Sequence, residues 1–347
     1  MMNHRNETST DGIRTSLLVR GGLALLVLLA LLIASAHGQS QSENASATIS
    51  VHVTHVLGFE GVRRNASGDL SIQDNDLRFQ RNGNPATQVS VTSIRNISLG
   101  EQDKQVGGVP MMLGKAALPY SGGRVVSLFS HKKYDSLTIE YRDNSGGLHG
   151  AIFRLAKGQA ETFKTALIAH GAHITGSEDP APVQSTREEP MAAQKWNVQV
   201  ERVDPGATTL DPSFSDAIYE NLLRELPKSK QFKDVFRSGD RNANDVSGVL
   251  VLKTLVERYS PGSETRRAVT TITGATKVKV HIQLLTRDGQ VLLERSIGGN
   301  VRFMGENLSA TNKVATHTRK ALKQSSFPAP SALIPQQSPS REATVTL

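Results

Sequence analysis

The sequence predicts two folded domains, the first all-β and closed by one helix, the second α+β, behind an N-terminal export segment. Three observations carry that reading. Apolar residues alternate with polar ones through the first half, with short turns between the runs, and switch to a helical period only near its end. Residues 176–194 then break the pattern with three Pro, several charges and almost nothing to bury. Beyond the break, helical and strand periods both occur.

The export segment centres on Leu23–Ile33, LALLVLLALLI. Arg14 and Arg20 precede it, and Ala34-Ser35-Ala36-His37-Gly38 follows with small residues at signal-peptidase spacing. Eleven helical residues cover roughly 16 Å, and Gly21–Ala36 roughly 24 Å, against a hydrocarbon core about 30 Å thick. The length favours a cleaved signal peptide over residues 1–38, and the leucine content keeps an N-terminal transmembrane anchor as the alternative. Either places the rest of the chain in the cell envelope, soluble in the periplasm or tethered to the inner membrane. The absence of Cys from a 347-residue exported chain points to a bacterial host and excludes disulfides, thiol catalysis and Cys-bound metal.

In the first domain, residues 45–175, Ile49, Val51 and Val53 alternate as a strand. Gly68–Ile72 and Asp76–Phe79 form a hairpin across Gln73-Asp74-Asn75, and Val89, Val91 and Ile94 continue the strand period. Val125–Phe129, Leu137–Tyr141 and Leu148–Leu155 follow, the last two joined by the turn Asp143–Gly147. Over Lys157–Ala172 the residues Ala160, Phe163, Leu167 and Ile168 share a helical face. Strands joined by short turns indicate a barrel or a sandwich. The order built on Gly68–Ile72, Asp76–Phe79, Val89–Ile94 and the closing helix resembles the pleckstrin-homology (PH) and GRAM-like family. That resemblance implies a seven-stranded half-barrel capped by its C-terminal helix. It also implies, from lipid-binding members, phosphate contact by basic residues in the first hairpin loop, here Arg63 and Arg64. His131-Lys132-Lys133 form a second expected basic turn.

The second domain, residues 195–324, opens with a strand at Trp196–Val203. Asp211-Pro212 supplies an N-cap and a first-turn Pro for a helix bearing Phe214, Ile218, Leu222 and Leu226 on one stripe, widened by Leu223. Val249–Leu252, apolar on both faces, reads as a central strand. Val278, Val280, Ile282 and Leu284 alternate up to Asp288-Gly289, which turns the chain into Gln290–Ile297. A last helix spans Leu308–Lys323, so the layer is an antiparallel sheet with helices on one face. Val246–Ser263 together with Gly274–Ile297 is similar to an uncharacterised domain family of bacterial exported lipoproteins, which implies an envelope location. Residues 325–347, with four Pro, read as a disordered tail.

The net charge of +8 falls to +7 beyond residue 38, too dilute to specify nucleic acid, and there is no basic-aromatic stripe. Asp240–Asn244 copies the start of a calcium loop, but Asp245 stands where Gly is needed and Val251 where Glu is needed, which leaves a polar turn. Ser130-x-x-Lys133 lacks the partner motifs of penicillin-recognising enzymes. His170 and His173 at a helix end lack a third ligand. The five Asn-x-Ser/Thr triplets carry no glycosylation message in a bacterium. The sequence therefore reads as a non-enzymatic exported envelope protein, with no cofactor and no metal, acting as a protein-interaction module on envelope partners. An anionic lipid or cell-wall polymer binder using Arg63, Arg64, His131, Lys132 and Lys133 is the alternative, and an unrecognised hydrolase the second.

Overall fold

The computed structural model describes residues 49–81, 83–106, 130–173, 195–262, 275–301 and 307–330. Residues 49–347 form one compact unit. The apolar run Leu23–Ile33 and the segments Gly107–Gly114 and Val125–Phe129 lie outside the described residues, as does nearly all of the expected linker. Among the described residues no helix is long and apolar enough to cross a membrane.

The first sheet contains β1 (Ile49–Leu57), β2 (Ala66–Gln73), β3 (Asp76–Gln80), β4 (Thr87–Ser90), β5 (Ile94–Val106), β6 (Ser130–Arg142) and β7 (Leu148–Ala156). Its order is β4-β3-β2-β1-β7-β6-β5, with every pairing antiparallel. The β2–β3 turn is set by Asp74 and Asn75, both at positive φ (52° and 65°), as a two-residue hairpin loop requires. Helix α1 (Gln159–Ala169) packs Ala160, Phe163, Ala166 and Leu167 onto the sheet core. Ile168, expected on that face, is 41% exposed.

The second sheet contains β8 (Trp196–Val200), β9 (Phe232–Phe236), β10 (Val249–Ser260), β11 (Thr276–Thr286) and β12 (Val291–Val301) in the order β12-β11-β10-β8-β9. Helices α2 (Pro212–Glu225) and α3 (Ser309–Lys323) share its core. Asp211 caps α2, its side chain accepting from Ser213 N at 2.9 Å ahead of Pro212. Residues 278, 280, 282 and 284 of β11 are buried as the alternation requires, under α3.

Several expectations need correction. Among the described residues both sheets are open, with β4 and β5 as the edges of the first, so there is no barrel. The second sheet is mixed: β8 runs parallel to both β10 and β9, because α2 carries the chain back between β8 and β9. The run Val89–Ile94 is not one strand. Val91–Ser93 form a single 3-10 turn, and Val91 N donates to Asn75 O at 2.8 Å, which diverts the chain from β4 into β5. Asp240–Asn244, by contrast, is the polar turn expected, with the Asp240 side chain accepting from Asn242 N at 3.0 Å. Ser325–Pro330, expected within the disordered tail, returns to the core, where Pro328 O accepts from Trp196 Nε1 at 2.7 Å.

Candidate functional site

A cluster of buried polar groups lies where the first sheet meets α2 and the segment after β9. The sequence leaves the two parts free to orient separately across the linker. Instead the β6–β7 turn is bonded directly to the segment after β9: Leu148 N donates to Ser238 O at 3.0 Å and Arg241 N to Ser145 O at 2.9 Å. Behind this contact, Glu220 of α2 accepts from Gly150 N at 3.0 Å and takes both guanidinium nitrogens of Arg237, at 2.7 and 3.1 Å. Arg237 also donates to Leu148 O at 2.8 Å. Burial works against the Arg237 charge, but the Glu220 carboxylate outweighs it and raises the guanidinium's pKa above its ordinary value. Tyr219 Oη completes the seam, donating to Leu148 O at 3.2 Å and accepting from Ser238 N at 2.8 Å.

One turn earlier on α2, Asp216 is buried against Glu140 of β6, and Glu140 is ion-paired with Arg202. Burial first, and then the Glu140 carboxylate beside it, push Asp216 well above the usual carboxylate range. The two carboxyl groups are sealed beneath α2, and only their partner Arg202 is partly exposed (31%). Their role is to join the layers.

At the rim of the seam, the β1–β2 loop meets the β6–β7 turn. His55, fully buried, organises the loop: its Nδ1 bonds Arg63 O at 3.0 Å and its Nε2 accepts from Phe59 N at 3.0 Å. Since Nε2 must accept, Nδ1 carries the proton and the ring is neutral; burial lowers its pKa accordingly. Glu60 follows Phe59 directly, and its N–H donates to Tyr141 Oη at 3.1 Å. Across the gap, Asp143 Oδ1 accepts from Ser145 N, Ser145 Oγ and Gly147 N at 2.7–2.9 Å. Burial opposes the Asp143 charge, and these bonds together with His149 overcome it and hold the carboxyl below its usual range. Asp143 Oδ2 faces His149 Nε2 at 2.9 Å, and Glu60 Oε2 lies 3.9 Å from the same nitrogen. The His149 ring is stacked on Tyr141, 4.7 Å between centroids and 11° between planes.

The structure separates the residues expected to bind anions. Arg63 and Arg64 are exposed in the β1–β2 loop, at the end of the sheet that carries the β6–β7 turn. His131, Lys132 and Lys133 do not form a turn. They belong to β6, in register with Gln105, Lys104 and Asp103 of β5. Lys133 and Arg142 are nine residue steps apart on β6, roughly 30 Å, so the arginines and the second basic group occupy opposite ends of the sheet. Sequence reasoning missed Glu60, Asp143 and His149, which share no motif. The available signal was Asp143 and His149 on either side of the turn Asn144–Gly147, a placement that brings their side chains together.

No protein-family model matches this chain, and no curated protein matches it. Among solved structures it is similar to the dodecamer of a PelC point variant from Paraburkholderia phytofirmans. That match has 17% identity and a TM-score of 0.30, covering 40% of this chain and 95% of that one. A PelC dodecamer from the same organism matches at 15% identity and a TM-score of 0.29, covering 38% and 91%. Likeness at this level carries no argument about this chain.

Proposed function

We propose that this chain is a non-enzymatic exported envelope protein that works as a protein-interaction module, receiving an extended segment of a partner protein along β12. The observation that carries the reading is the open edge of the second sheet. β12 is eleven residues long, is hydrogen-bonded among the described residues on one side only, and begins with Val291, 46% exposed. Such an edge presents a row of main-chain donors and acceptors to an added strand. The opposite edge, β9, has five residues. Export rests on the apolar run Leu23–Ile33 with its basic and small-residue flanks. The PH-like reading of residues 45–175 is supported by seven strands followed by a closing helix, with the sheet left open.

A photo-crosslinking residue at Val291 of the full-length protein, in intact cells, tests this. It should give one discrete adduct in the envelope fraction. Main-chain N–H groups alternate sides along a strand, so of Glu294→Pro and Arg295→Pro one blocks the open edge while leaving the pairing with β11 intact. That variant should lose the adduct. Crosslinking from Val291 no different from that at Lys233 on β9 overturns the proposal. The anionic-ligand alternative now rests on Arg63 and Arg64 alone. It requires that the double change to Glu release the protein from vesicles of anionic lipid or from cell-wall polymer.

A further inference from the structure

We propose that Glu60, Asp143 and His149 form a binding site for one divalent transition-metal ion. Their donor atoms all lie within 4.8 Å of one another. Two ligand atoms about 2.0–2.1 Å from a common ion, at octahedral or tetrahedral angles, are about 2.9–3.4 Å apart. His149 Nε2 and Asp143 Oδ2 already stand at 2.9 Å. Glu60 Oε2 stands 3.9 Å from Nε2, and its side chain, 66% exposed, can close on the pair.

The two inner ligands are held before any ion arrives. Three donors fix Asp143 Oδ1 and leave Oδ2 aimed at the imidazole. Tyr141 clamps the His149 ring by stacking and Glu60 through its main chain, while His55 fixes the approach of the loop. One imidazole and two carboxylates suit zinc or manganese better than calcium or magnesium, which prefer oxygen ligands throughout. An ion bound at Nε2 requires the neutral imidazole with its proton on Nδ1. Nδ1 is buried with no hydrogen-bond acceptor, so affinity falls about 10–100-fold below that of a site with such a partner. Glu60 lies on the exposed side, where the remaining coordination positions stay open to water.

Zinc titrated into the full-length protein by calorimetry, with cobalt(II) absorption in the visible as a second readout, decides the matter. We expect one zinc ion per chain and a ligand-field band from cobalt. Glu60→Gln should weaken zinc about tenfold and Asp143→Asn should abolish the band. Because Glu60 contributes only its main chain to the fold, Glu60→Gln and Glu60→Ala remain folded even if the Asp143 variant does not. No saturable uptake by the wild type, or equal uptake by wild type and Glu60→Ala, overturns the site.

Discussion

Gly150 of β7 is where single atoms decide the seam. A Cβ there would stand 2.6 Å from Cβ of Asp216 and 2.8 Å from its Cγ, so α2 reaches β7 only because position 150 has no side chain. Gly150→Ala should destabilise by about 1–3 kcal/mol, read as a lower midpoint in urea unfolding. Gly58 is bound more tightly still. Its φ is +90°, and an added Cβ would meet Gly150 O at 1.9 Å. Two buried titrating groups act in opposite directions. His55 has a lowered pKa, so the native state takes up fewer protons than the unfolded chain below about pH 6.5, and its contribution fades as pH falls through that region. Asp216 has a raised pKa, so its contribution is complete below the ordinary Asp value and is lost as pH rises through the folded one. Asp216→Asn should therefore flatten the decline of the melting temperature that sets in as pH rises above the ordinary Asp value, which a thermal scan run upward from about pH 4 would detect.

At the scale of elements, the parts readable from sequence are those whose signals are local. The pairs Asp74-Asn75 and Asp288-Gly289 locate two hairpins, and Asp211-Pro212 fixes the start of α2. Replacing Asp211 by Ala removes the cap and should cost about 1 kcal/mol, measured by denaturant titration. Where pairing depends on distant segments, sequence pattern failed. β9 is five residues with only Phe232 buried, too short and too polar to stand out in FKDVF. Val249–Leu252 announces a central strand, but whether its neighbour runs parallel depends on the path of α2, which no residue in β10 encodes. The candidate metal ligands were hidden for the same reason. Glu60 meets Asp143 and His149 only after β1 pairs with β7.

Across the whole molecule, the seam makes the two sheets one cooperative body. Calorimetry should show a single transition whose measured enthalpy equals the van't Hoff value. Arg237→Ala would strand Glu220 in the seam and should cost about 3–5 kcal/mol, whereas Arg237→Met with Glu220→Gln should cost less, because no buried charge is then left alone. The same architecture governs how the protein is born. Gly150 and its partner Glu220 are 70 residues apart, which at about 5–20 residues per second is roughly 4–14 s of synthesis. For most of that interval the first sheet presents Val56, Leu57 and Ile152 uncovered, since Phe214 and Ala217 are made only near its end and Leu308 later still. The nascent half is a sticky surface awaiting its other half, and a chain truncated before residue 212 keeps that surface permanently.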